Sequence, residues 1–187
     1  MSLIAIAAVV ALLQDDTGEQ FYKFPVGTAW KFLEKNDDKE KKTDVKVLKV
    51  EDGKVHMESR DFKAEGEPKV ETLVWWVMDG ALVWGEMKGD ELRPQLRYYK
   101  CGSKKGDTWD AVAGKDGPPE AKATHMGATD VKVPAGEYKD CVHVRFEMGA
   151  RTINMYWAPK VGLVKMEMSM GGEVKTTIEL TEFTPAK

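Results

Sequence analysis

Methionines stand at every second position near the end of the sequence, in the run Met166-x-Met168-x-Met170. Because the side chains of a β-strand alternate between its two faces, a strand would present all three thioethers on one side. Thioether sulfur is a soft ligand that selects Cu(I), so the spacing predicts a copper site shared with methionines of neighbouring strands. Methionine also fills irregular gaps in apolar cores, and Val164 on the same face favours that simpler interpretation.

The methionines have a third interpretation when they are considered together with the tryptophans. The sequence contains six tryptophans and ten methionines, more large apolar side chain than a minimal core requires. Aromatic rings and adaptable methionines are typical of pockets for apolar ligands. The predicted contacts of a lipid or other apolar small molecule are Trp75, Trp84, Met155, Trp157, Met166 and Met168.

Catalytic motifs are absent from the sequence. It contains no Gly-x-Ser-x-Gly, His-Glu-x-x-His, Cys-x-x-Cys or phosphate-binding glycine loop. The three histidines, His56, His125 and His143, are scattered along the chain. Cys141 and His143 share a strand face, but no third and fourth zinc ligand accompanies them. We therefore predict no catalytic residue and no cofactor, and apart from the copper alternative no metal site. A hydrolase of unknown type is the remaining catalytic alternative.

The alternation that would position these residues is most regular over 131–170. One face of its first strand carries Val142, Val144, Phe146 and Met148. Cys141 begins the opposite, polar face. One apolar and one polar face at period two is typical of a half-buried antiparallel strand. Three such strands, separated by turn residues, fit into this segment.

Turn residues predict the same kind of structure in the rest of the chain. Asp52-Gly53 and Asp79-Gly80 each separate two apolar runs, and this dipeptide favours tight hairpins because both residues tolerate positive φ. Turn signals recur every eight to twelve residues, which predicts about ten strands. We expect an all-β fold with one strongly curved antiparallel sheet, a half-barrel or a barrel.

Two runs depart from simple alternation. Residues 73–77 are apolar on both faces, which predicts a strand in mid-sheet or one covered on its second side. The run 91–100 contains Pro94, which lacks an amide hydrogen and indicates an edge strand or a bend. One short helix over this run is the alternative.

Composition excludes some classes of partner. The net charge is −3 with scattered Lys and Arg, so no basic face for nucleic acid is visible. The apolar run 3–13 is too short to cross a bilayer, which needs about twenty residues. Its length suits the apolar core of a secretory signal, and a buried N-terminal strand or helix is the alternative. We therefore expect residues 1–16 to form a signal or apolar segment and 17–187 a single β domain.

The two cysteines, Cys101 and Cys141, offer one possible cross-link. In an exported chain they could form a disulfide that stabilises the fold. Two separate thiols are equally compatible with the sequence, because spacing alone does not show whether their Cα atoms approach each other.

Two segments resemble a pattern in uncharacterised exported bacterial β-sheet proteins and lipoproteins. They are Val133-Pro-Ala-Gly-Glu-Tyr-Lys-Asp-Cys141 and Tyr156-Trp-Ala-Pro-Lys-Val-Gly-Leu-Val-Lys165, and the opening Phe24-Pro-Val-Gly-Thr-Ala-Trp30 is similar to the start of the same proteins. The resemblance covers mainly 131–183. It implies a half-barrel fold and an exported, periplasmic or secreted location, but no reaction. Some proteins of this general shape, the half-barrel lipoprotein carriers, hold lipid in a concave sheet.

The leading hypothesis from the sequence is a non-enzymatic exported β domain that binds an apolar ligand or a protein partner. A periplasmic Cu(I)-binding protein and a hydrolase are the alternatives.

Overall fold

The structure, a computed structural model, describes residues 18–36, 39–62, 66–88, 91–112 and 121–187. The apolar run 3–13 lies outside the described residues. In the described part of the chain, one 3₁₀ turn, Glu19–Phe21, precedes the strands. The twelve strands are β1 Ala29–Asn36, β2 Lys39–Glu51, β3 Lys54–Phe62, β4 Lys69–Met78, β5 Ala81–Lys88, β6 Glu91–Lys100, β7 Thr108–Asp110, β8 Lys122–Val133, β9 Gly136–Met148, β10 Arg151–Ala158, β11 Gly162–Met170 and β12 Glu173–Thr184.

All twelve strands form one antiparallel sheet in the order β6-β5-β4-β3-β2-β1-β12-β11-β10-β9-β8-β7. Two six-stranded meanders, β1 to β6 and β7 to β12, are therefore joined through the pairing of β1 with β12. The sheet curls until its two edge strands approach each other. Among the described residues, one isolated bridge joins Leu96 of β6 to Val112, just beyond β7, and the Arg97 N–H donates to the Ala111 carbonyl at 2.8 Å. One bridge is not a ladder, so the sheet remains an open, curled structure.

The fold class predicted from the sequence is confirmed, and the strand count is twelve rather than about ten. Asp52-Gly53 has φ of 49° and 72°, and Asp79-Gly80 has φ of 52° and 69°, the positive values that a tight hairpin turn requires. The short helix considered for 91–100 was wrong. That run is β6, an edge strand, where Pro94 interrupts the ladder at little cost.

Apolar side chains of the inner face make one large core. Val144, Phe146, Met155, Val164 and Leu180 are each at most 1% exposed, and they lie on four adjacent strands. A smaller cluster forms on the opposite face of β4 and β5 around Val74, Trp76 and Val83. The predicted mid-sheet position of 73–77 is confirmed, because β4 has a neighbour on each side. Val74 and Trp76 are buried on the outer face, whereas Val77 at the end of the run is 37% exposed.

The end of the β8–β9 hairpin folds back over the core. The Ala135 N–H donates to the Leu180 carbonyl of β12 at 3.0 Å, although β12 is not a sheet neighbour of either strand. Two register shifts in the β8–β9 ladder and a positive φ of 53° at Asp140 produce this bend. A bulge increases local twist and bends a strand, so these irregularities let the hairpin end cover the interior.

Cys141 departs from the prediction that it lies on the polar face. Its side chain is fully buried, because it directly follows the bend at Asp140, which interrupts the alternation. The disulfide between Cys101 and Cys141 that the sequence allowed is not formed in this structure.

Leu180 is expected to be a large contributor to the stability of the sheet. It is fully buried on β12, whereas Val174 of the same strand is 52% exposed. Leu180→Ala should lower the free energy of unfolding by about 2–5 kcal/mol because it leaves a cavity in the core. Val174→Ala, the control, should change it by less than about 0.5 kcal/mol. Urea unfolding measures both, and equal losses would contradict the burial of Leu180 in the core.

Candidate functional site

The segment before β1 covers part of the interior of the curled sheet. Phe21, Tyr22 and Phe24 are all buried. Lys160 N–H, in the β10–β11 turn, donates to the Gln20 carbonyl at 2.9 Å and ties the segment to the sheet. The Phe24 ring meets the Trp30 ring edge to face with centroids 4.8 Å apart. The segment 18–24 is thus a cover built from aromatic side chains.

A cavity of about 140 Å³ remains between this cover and the sheet. All of its walls are apolar or aromatic side chains, apart from the Tyr22 hydroxyl and one glycine. The lining residues are Phe21, Tyr22, Phe24, Trp30, Phe32, Val45, Met57, Leu73, Trp75, Trp157, Gly162 and Leu163. No carboxylate, imidazole, thiol or cationic group occurs among these described residues, so the cavity is suited to binding apolar matter rather than to acid–base chemistry.

One wall of the cavity belongs to an aromatic cluster. Trp75 and Trp157 meet edge to face at 5.2 Å between centroids, and Trp75 stacks on Tyr98 at the same separation. Tyr98 in turn contacts Phe146 edge to face at 5.7 Å. Such ring pairs add about 0.5–1.5 kcal/mol each beyond their buried area, so this wall is fixed in shape.

Three tryptophans line the cavity, and their indole N–H groups differ in whether they have a hydrogen-bond acceptor. The Trp30 N–H donates to the Val161 carbonyl at 2.7 Å. The N–H groups of Trp75 and Trp157 are buried, and no acceptor of the described chain lies within hydrogen-bonding reach of either. Leaving a buried donor unpaired costs about 1–3 kcal/mol, so this pair is an unusual feature for a native interior.

Of the six ligand-contact residues predicted from the sequence, two line the cavity and four do not. Trp75 and Trp157 line the cavity. Trp84 is not a lining residue, and its ring centroid lies 6.2 Å from that of Tyr98. The three methionines, Met155, Met166 and Met168, also lie outside the lining.

The methionines instead pack along β10 and β11. Met155, 1% exposed, is the ladder partner of Met166, and Met168 pairs with Ile153. Met170, the last of the run, is 49% exposed. Core packing explains the positions of Met155 and Met166, and Cu(I) binding stays a prediction.

Sequence reasoning missed the aromatic cover and most of the lining residues. Phe21, Tyr22 and Phe24 precede the first strand and follow no strand period. Their density beside Pro25 was the available signal. The cavity brings Val45 and Leu73 of the first meander to Trp157 and Leu163 of the second, and this proximity depends on contacts between segments that are distant in sequence.

Two of the three histidines, His125 and His143, make hydrogen bonds that hold neighbouring segments together. His125 is buried, with Nδ1 at 2.9 Å from the Ser103 carbonyl, and it holds the loop before β7. His143 Nε2 lies 2.9 Å from Asn154 Oδ1, and its ring stacks on Tyr156 at 4.6 Å. The Tyr156 hydroxyl donates to a Glu167 carboxylate oxygen at 3.3 Å, so this network cross-links β9, β10 and β11 on the polar face.

Cys141, which the sequence analysis considered with His143 as a pair of zinc ligands, is unsuited to metal binding or nucleophilic attack. Burial, with the Asp130 and Asp140 carboxylates adding to it, raises the pKa of Cys141 to about 11. The thiol is therefore protonated at neutral pH, and a protonated thiol is a poor ligand and nucleophile. Within the described ranges, no three His, Cys, Asp or Glu side chains are placed to hold a metal ion.

No protein-family model matches the chain, and no curated protein does either. Two solved structures share its fold. One is an inferred exported protein with a YmcC-like fold from Bacteroides fragilis, and the other an inferred lipoprotein from Parabacteroides distasonis. Each has a TM-score of 0.56 and 14% identity, covering 86% of this chain and 97% of its own. Neither description includes an enzymatic activity. Among the described residues of this chain, no helix has the length and apolar character to cross a membrane.

The contact between Gly162 and the aromatic cover generates a stability prediction. A Cβ on Gly162 would lie 3.2 Å from Phe24 Cζ, whereas one on Gly172 would meet nothing within 4 Å. Their φ angles are nearly equal, +89° and +88°, so alanine carries the same backbone cost at both. Gly162→Ala should therefore destabilise by about 1–2 kcal/mol more than Gly172→Ala in urea unfolding. Equal losses would show that the cover does not press on β11.

The polar network around His143 predicts how the stability of the protein depends on pH. Burial lowers the pKa of His143 below its ordinary value of 6.5, against the opposing effect of its hydrogen bond to the Asn154 amide oxygen. The unfolded chain binds this proton more readily, so the contribution to stability is complete above pH 6.5 and is lost as the pH falls below it. NMR titration of the ring should give a midpoint under 6.5. His143→Phe, which cannot titrate, should lose less stability than the parent between pH 7.5 and 5; a midpoint at or above 6.5 would contradict the prediction.

Proposed function

We propose that this chain is a non-enzymatic exported β domain that binds a small apolar ligand in the cavity beneath the aromatic cover. The observation that carries the proposal is the lining itself, twelve described residues without a charged group. Water gains few hydrogen bonds in such a space, and an apolar cavity of similar size in another protein stays dry and binds benzene. A small apolar molecule that fits this volume is therefore the favoured ligand.

The volume limits what can bind. Pockets for drug-sized ligands measure about 300–1,000 Å³. The cavity here, about 140 Å³, holds a ring-sized group or the end of an acyl chain. Of the apolar ligands considered from the sequence, a whole lipid is therefore too large for the cavity in this conformation, whereas one ring or chain end fits.

Export is supported by the shared fold. Both solved structures named above are described as exported proteins or lipoproteins, and both are covered almost completely by the match. The apolar run 3–13, with the length of a secretory signal core, agrees with this location.

Toluene is a suitable ring-sized probe for the cavity. In ¹⁵N-labelled protein it should shift the indole N–H resonances of Trp30, Trp75 and Trp157, which line the cavity. Val45→Phe adds a ring to the lining, and because overpacking costs about 1–3 kcal/mol, it should weaken toluene binding by roughly tenfold or more.

The matched control is Val50→Phe, the same substitution on the same strand at a side chain that is 44% exposed. It should bind toluene like the parent. Absence of indole shifts in the parent, or equal binding by the two variants, would reject the cavity as a ligand site.

A further inference from the structure

A groove of about 340 Å³ lies on the inner face of the sheet, apart from the cavity beneath the aromatic cover. Ile153 stands two residues before the buried Met155 on β10, so both side chains point to the inner face. Met168 of β11 is the ladder partner of Ile153, and both residues line the groove. Its described lining shares no residue with the cavity or with either cover, so the groove is a part of the inner face that the covers do not reach.

The floor of the groove is apolar and accessible to solvent. Ile153 and Met168 are half-buried, and Met170 is 49% exposed. Transfer of this surface from water to contact with an apolar chain is favourable. A volume of about 340 Å³ lies within the range of pockets for small molecules, about 300–1,000 Å³. The floor is therefore suited to an alkyl chain.

A cation stands at one end of this floor. Arg151, the first residue of β10, pairs in the sheet with Met148 on one side and Met170 on the other. Its exposed side chain makes no hydrogen bond or ion pair with another described residue. Lys175, the second cation of the lining, is paired with the Glu173 carboxylate at 2.6 Å. An exposed guanidinium bordered by thioethers rather than carboxylates favours an anionic partner.

We propose that the groove binds a small anionic amphiphile, an alkyl carboxylate, as a single dissolved molecule. The chain covers Ile153, Met168 and Met170, and the carboxylate accepts hydrogen bonds from the planar guanidinium of Arg151. A cationic amphiphile would be repelled by the same unpaired charge. This site is separate from the cavity and does not depend on the proposed function.

Three probes with one chain length separate the contributions: octanoate is an anion, octanol is neutral, and octylammonium is a cation. Each is added at pH 7.5, below the concentration at which it forms micelles, to protein with ¹³C-labelled methionine methyl groups. The Met168 and Met170 methyl resonances report on the groove, and that of Met57 reports on the cavity.

Octanoate should shift the Met168 and Met170 resonances and bind at least about threefold more tightly than octylammonium. Arg151→Gln should lower the ratio of octanoate to octanol affinity about twofold to fivefold, the range for an exposed ion pair. The matched control is Arg60→Gln, which removes an exposed strand arginine outside the groove. It should keep the affinities of the parent.

The proposal would be overturned by the absence of Met168 and Met170 shifts, by octylammonium binding as tightly as octanoate, or by an unchanged affinity ratio in Arg151→Gln. If octanoate shifts Met57 alone, the chain binds in the cavity, so the groove is rejected while the proposed function stands. The toluene experiment tests the cavity independently. The comparison of the three probes on the parent decides the question if a variant does not fold.

Discussion

A sheet of twelve strands cannot stay flat, and this constraint shapes the rest of the molecule. Strand twist curls the sheet, and curling gathers its apolar side chains on one inner face that must be covered. No α-helix covers it in the described part of the chain. The cover comes instead from two short pieces, the aromatic segment 18–24 and the bent end of the β8–β9 hairpin. Backbone hydrogen bonds fix both, the first to the β10–β11 turn and the second to β12.

Short covers fill an interior less completely than a packed helix does. Phe21, Tyr22 and Phe24 are wedged against β1 and β11, yet a cavity remains between them and Trp75. The same geometry leaves two indole N–H groups in an apolar space. The cavity therefore follows from the way the inner face of the sheet is covered.

Local periodicity made most of the fold predictable. Alternation over β9 to β11 and the two Asp-Gly turns needed only neighbouring residues, as did the edge position of the strand with Pro94. The candidate site was harder to predict from the sequence than the fold was. Trp75 and Trp157 were identified by residue type, but the cover at Phe21 and Phe24 has no strand period. The burial of Cys141 depends on a bend at Asp140, and the lining depends on the register between distant strands. Those features arise from long-range packing, which a single sequence does not reveal.

The pairing of β1 with β12 places the earliest and the latest strand of the sheet side by side. During synthesis, β1 has no partner on its second side until all the strands from β2 to β12 have emerged. Contacts between residues so far apart are slow to form because a long loop must close first. Unpaired edges invite association with other chains in the meantime. The joint at the centre of the sheet is thus also the step at which a newly made chain is most exposed to aggregation.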